Sequence, residues 1–193
     1  MVSIAGGVQC IKNMAAIMFR LVLIPMLLSV FAVESSERPK EDTRKVDYVF
    51  QLTKFIHWPA SLTKHSPIKL CLFATNPAQN NWQKIHLQKS RGHEIQLHYI
   101  NQYNQLSQCN MFFVHKQIPN SVIQENYYSL ISNRILTIGE RKNFAKEGGI
   151  IELDFIEGSA DIKINLKTAY EAGLSINANL IEIASAVFKQ GRN

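Results

Sequence analysis

Two short runs, residues 111–115 (MFFVH) and 135–138 (ILTI), are apolar almost throughout. A strand can be apolar on both sides only where both faces of its sheet are covered, as in parallel sheets packed between helices. Residues 68–74 (IKLCLFA) and 95–100 (IQLHYI) alternate and read as further strands. Helix signals separate them. One helix is expected over residues 81–89, after the Asn76-Pro77 turn, and Ser121-x-x-Gln124 reads as a capping box for a helix through Leu130. Residues 150–156 and 161–165 alternate on either side of Glu157-Gly158-Ser159, the pattern of an antiparallel hairpin. Strands alternating with helices imply right-handed crossovers and a parallel sheet. The expected fold class is α/β: a three-layer α/β/α sandwich with a mixed, mostly parallel sheet and a C-terminal antiparallel hairpin.

Elements flank this core on both sides. Val46, Val49, Phe50, Thr53 and Ile56 recur at helical spacing, which predicts an amphipathic helix of about four turns that Pro59 ends. Gly148-Gly149 reads as a turn needing positive φ. In the tail, Asn165 is expected to cap one helix, and Gly173 followed by Leu174 resembles a Schellman stop. Ser175 or Asn177 then opens a last helix whose face is Leu180, Ile181, Ala184, Val187 and Phe188.

The N-terminus reads differently. Residues 14–32 (MAAIMFRLVLIPMLLSVFA) hold a short apolar run broken by Pro25, with Lys12 and Arg20 upstream and no acid before Glu34. Basic residues, a short apolar stretch and small residues before a polar segment make a cleavable secretory signal. Cleavage is expected after Ala32. The expected organisation is a signal peptide over residues 1–32, a flexible lead-in over 33–41 and one domain over 42–190. At 46% hydrophobic and 19% charged, the chain is too apolar for a disordered protein.

Removing the signal changes two counts. The formal charge drops from +6 to +4 with Lys12 and Arg20, and the three cysteines become two with Cys10. The remaining pair, Cys71 and Cys109, suits a disulfide in an oxidising compartment. The alternatives are a redox switch or a metal pair, although no CxxC spacing supports them. The basic residues form no stripe, so no nucleic-acid partner is expected. The histidines (57, 65, 86, 93, 98 and 115) make no HxH or HExxH, so no metal site is read. Neither GxSxG, GxGxxG nor a P-loop occurs. Glu152 and Asp154 share one side of a strand, the placement of a carboxylate pair or, more often, of a solvated hairpin face. No catalytic residue and no cofactor is expected.

Several landmarks in order resemble one family. They are KFIHWP over 54–59, IKLCL over 68–72, Cys109 leading into MFFV, and LTIG over 136–139. Phe144-Ala145 with GGII over 148–151, Ile164-Asn165 and Ala172-Gly173-Leu174 follow. Together they are similar to the YfiR family of periplasmic proteins, over residues 42–189. The resemblance implies a non-catalytic periplasmic repressor. Such a protein binds the periplasmic region of an inner-membrane diguanylate cyclase and lowers cyclic di-GMP and biofilm formation. It also implies the Cys71–Cys109 bridge, a homodimer in some members, and scaffold roles for Pro59, Gly148, Gly149, Asn165, Gly173 and Leu174. A repressor needs an exposed anchor, and Trp58 with Phe55 and His57 is the candidate partner-binding patch. Against that stands a core role for Trp58 beneath Pro59. The competing function is a periplasmic small-ligand sensor, for which a small ligand would sit in a cleft at the carboxyl ends of the strands.

Overall fold

The apolar runs form the middle of the sheet. The computed structural model describes residues 38–189 apart from 64, 77 and 78, and the expected signal segment lies outside the described residues. Among the described residues the helix α1 (Arg38–Thr53) comes first, and it begins inside the segment expected to be a polar lead-in. The strands are β1 (Ile56–His57), β2 (Ile68–Phe73), β3 (Lys89–Ser90), β4 (His93–Ile100), β5 (Met111–Val114), β6 (Leu136–Gly139), β7 (Ile151–Ile156), β8 (Ser159–Asn165), β9 (Ser175–Ile176) and β10 (Ala186–Phe188). The other helices are α2 (Gln79–Trp82), α3 (Ser121–Glu125), α4 (Tyr127–Ser132), α5 (Leu166–Glu171) and α6 (Ala178–Ile183).

Eight strands lie in the order β10-β8-β7-β6-β5-β2-β4-β3. Pairing is parallel from β4 through β2, β5 and β6 to β7, and antiparallel for β7–β8 and β3–β4. This is the mixed, mostly parallel sheet with its hairpin. Side chains alternate between two cores. Leu70, Leu72, Met111 and Phe113 point to one, with Val46, Val49 and Leu52 of α1. Cys71, Phe112 and Val114 point to the other, with Val122, Ile123 and Leu130 of α3 and α4. Strands apolar on both faces therefore place helices on both faces, and the three layers follow.

Five local expectations need correction. Of the helix expected over 81–89 only the start is helical: α2 ends at Trp82, one 3-10 turn covers Gln83–Ile85, and Lys89 already lies in β3. The first helix ends at Thr53, where the Thr53 hydroxyl donates to the Phe50 carbonyl and accepts from the Ser90 hydroxyl, each at 2.6 Å. Ile56 then belongs to β1, which pairs antiparallel with β9. The helix after Pro119 is broken at Asn126, whose side chain donates back to the Val122 carbonyl, and Ser121 caps nothing. The last helix stops at Ile183. Val187 and Phe188 lie instead in β10, parallel to β8 at the sheet edge. Glu152 is not solvated: it is 1% exposed, accepts from the Ala145 amide and pairs with Lys163 directly across the hairpin.

Gly173 and Gly149 each answer a different need. Gly173 has φ +67 and closes α5. Its amide bonds Tyr170 O and the Leu174 amide bonds Ala169 O, the paired bonds of a Schellman motif, with Leu174 buried. Gly149 is close-packed: a Cβ there would run into the ring of Phe144. Of the Gly148-Gly149 pair only Gly148 has positive φ, at +111. Asn165 caps α5 by accepting from the Thr168 amide at 3.0 Å, and also donates to the Ala145 carbonyl at 2.7 Å.

Candidate functional site

The segment after α1 sets up the surface that the sequence singles out. A strand alternates sides at each residue, so in β1 Ile56 is fully buried and His57 is exposed. The Phe55 carbonyl accepts from the Asn177 amide at 2.8 Å, which locks β1 to the tail. Phe55 and Trp58 are half-buried, and both pack against the larger core. Trp58 is thus neither a free anchor on a helix end nor a wholly buried core residue. Its indole Nε1 is buried without an acceptor. Pro59 accepts from the Leu62 amide at 2.9 Å and turns the chain back over the same place.

Beside Trp58 lies a cavity of about 280 Å³, lined by His57, Trp58, Pro59, Ala60, Leu62, Arg91 and His93. Arg91 and His93 come from the β3–β4 hairpin, far along the chain. Sequence reasoning missed both. Arg91 Nη1 donates to the Lys54 carbonyl at 3.1 Å, and His93 Nδ1 donates to the Ser66 carbonyl at 2.8 Å. These two bonds stitch the hairpin to the segment that carries Trp58. The one sequence signal was Arg91-Gly92 before an alternating strand, a two-residue hairpin connection.

A second set of titratable groups lies at the carboxyl ends of β5 and β6. His115 follows β5, Glu140 follows β6, and Lys45 comes from α1. Lys45 pairs with Glu140 and with Asp42, the latter at 2.8 Å. His115 Nε2 stands 3.6 Å from Glu140, and its Nδ1 accepts from the Gln117 amide at 3.3 Å. Burial pushes the His115 pKa down; Glu140 opposes this, while Lys45 adds to it. Burial also works against charge on Lys45, but Glu140 and Asp42 outweigh it and raise its pKa. Each charge here has a partner. The cluster clamps α1 to the sheet.

The cysteines meet because β2 and β5 are neighbours. Cys71 and Cys109 are bonded, with Cα atoms 5.8 Å apart, and both are buried. Among the described residues no group of three or more His, Cys, Asp or Glu could hold a metal, and no helix is long and apolar enough to cross a membrane.

Residues 42–185 match the YfiR/HmsC-like family. The chain belongs to that family. YfiR/HmsC-like proteins are periplasmic regulators associated with diguanylate cyclase signalling, and they are regulatory rather than catalytic. No curated protein matches the sequence. Among solved structures, a conserved domain protein of Vibrio cholerae is similar at 12% identity and a TM-score of 0.48. A Streptococcus ABC domain in complex with L-Trp is similar at 11% identity and a TM-score of 0.43. In both cases 76% of this chain aligns with 60% of the other.

Proposed function

We propose that this YfiR/HmsC-like chain is exported by a cleavable signal and represses an inner-membrane diguanylate cyclase from the periplasmic side. It binds the cyclase's periplasmic region, and so lowers cyclic di-GMP and biofilm formation. The observation that carries this reading is the family match over residues 42–185. The docking patch is the segment Phe55, His57 and Trp58. An exposed histidine between two half-buried aromatics suits a partner that completes the burial of an anchor. Affinity capture from detergent-solubilised membranes of cells exporting a tagged protein tests the reading. A diguanylate cyclase with a periplasmic region is expected in the eluate. Recovery of no such enzyme contradicts it.

A further inference from the structure

The cavity beside Trp58 has an uneven chemical lining. Arg91, His93 and His57 bring a guanidinium and two imidazole rings, and among the described residues no carboxylate lines it. The rest of the wall is the Trp58 indole with Pro59, Ala60 and Leu62. Arg91 makes one bond to a carbonyl through Nη1, so its fork retains further donors. His93 gives its Nδ1 proton to the Ser66 carbonyl. Its Nε2 is therefore the nitrogen left for a ligand.

The backbone at Arg91 points the same way. Arg91 has φ +50 and Gly92 φ +89, the two positive values of a type I′ hairpin turn. Asn, Asp or Gly would fill the first of these positions with less strain. A long, charged side chain held in that conformation costs stability, and such positions gather at binding sites. Arg91 is costly as a turn residue, yet its side chain reaches the cavity wall.

We infer that this cavity binds a small organic anion, an oxyanion head on a flat apolar body. The head meets the Arg91 guanidinium and His93, and the body lies against Trp58, Pro59 and Leu62. At about 280 Å³ the space lies just below the usual range for ligand pockets and suits a metabolite rather than a peptide. The inference holds whether or not the docking partner is a cyclase.

The test is ligand-observed NMR on the mature protein with phenylacetate, phenyl phosphate and neutral phenylacetamide as probes. At least one of the two anions is expected to bind at least roughly tenfold tighter than the amide, the size of a charged hydrogen bond. Preference for phenylacetate points to a carboxylate and preference for phenyl phosphate to a phosphate ester; either supports the inference. Arg91→Gly is the decisive variant, because glycine suits the positive φ, and relief of that strain works against the loss of the Lys54 bond. It should stay folded by circular dichroism and lose anion binding by roughly tenfold or more, while Arg91→Lys keeps part of it. Equal binding of anion and amide would overturn the inference. So would no binding of either anion, or Arg91→Gly binding as tightly as the parent.

Discussion

Opening the Cys71–Cys109 bridge should remove about 4 kcal/mol of stability. The bridge joins residues 38 apart in sequence. Closing a loop of that length removes about 13 cal/mol/K of unfolded-chain entropy, or about 4 kcal/mol near room temperature. Domains of this size are stable by only about 5–15 kcal/mol, so the reduced protein is left marginal. Reduction is a cleaner perturbation than substitution, because both sulfurs stay and the packing of β2 against β5 keeps its volume. Equilibrium urea unfolding, followed by circular dichroism with and without reductant, reads the difference. With a slope of about 2 kcal/mol/M the midpoint should fall by roughly 2 M. The slope itself should rise, since an unbridged unfolded chain exposes more surface. Cys71 is 1% exposed and Cys109 3%, so reductant should reach the bridge only as the domain opens. A midpoint shift equivalent to less than about 1 kcal/mol would refute the loop-entropy reasoning.

Three further outcomes follow from packing and charge. Gly149→Ala should cost about 2 kcal/mol or more, because the new methyl meets the Phe144 ring; adding Phe144→Leu should recover part of the loss, read by thermal melting. Asn165→Ala loses both the cap on α5 and the bond to Ala145 and should cost about 2–3 kcal/mol, whereas Asn165→Ser keeps a capping oxygen and should cost less in the same melts. For pH, His115 is held neutral in the folded state by burial, against Glu140 and among Asp42, Lys45 and Lys116. A depressed folded pKa means the unfolded chain binds more protons as the imidazole range is crossed. Stability should therefore be complete above about pH 7 and fall toward about pH 5, and urea midpoints for His115→Gln should show a flatter slope over that window.

The layers of the fold were legible because their signal is local. MFFV and LTIG are apolar on both faces, and the Asn165 cap and the Gly173-Leu174 stop are written within a few residues. The elements that escaped depend on distant partners. Ile56 fits a helical stripe as well as a strand, and only pairing with Ser175 and Ile176 decides between them. Val187 and Phe188 likewise continue a helical face until β8 offers an edge. The candidate site divides along the same line. Phe55, His57 and Trp58 sit in one contiguous stretch and could be read directly. Arg91 and His93 reach them only because β4 lies beside β2, an adjacency that no local pattern records.

Cyclic di-GMP measured in the native cell reads repression through the Trp58 segment. The level should rise when the gene is deleted, return to baseline with the parent chain, and stay high with Trp58→Ala exported at equal abundance and unchanged melting temperature. A cyclic di-GMP level that ignores the deletion would contradict repression. Full complementation by Trp58→Ala would contradict the patch.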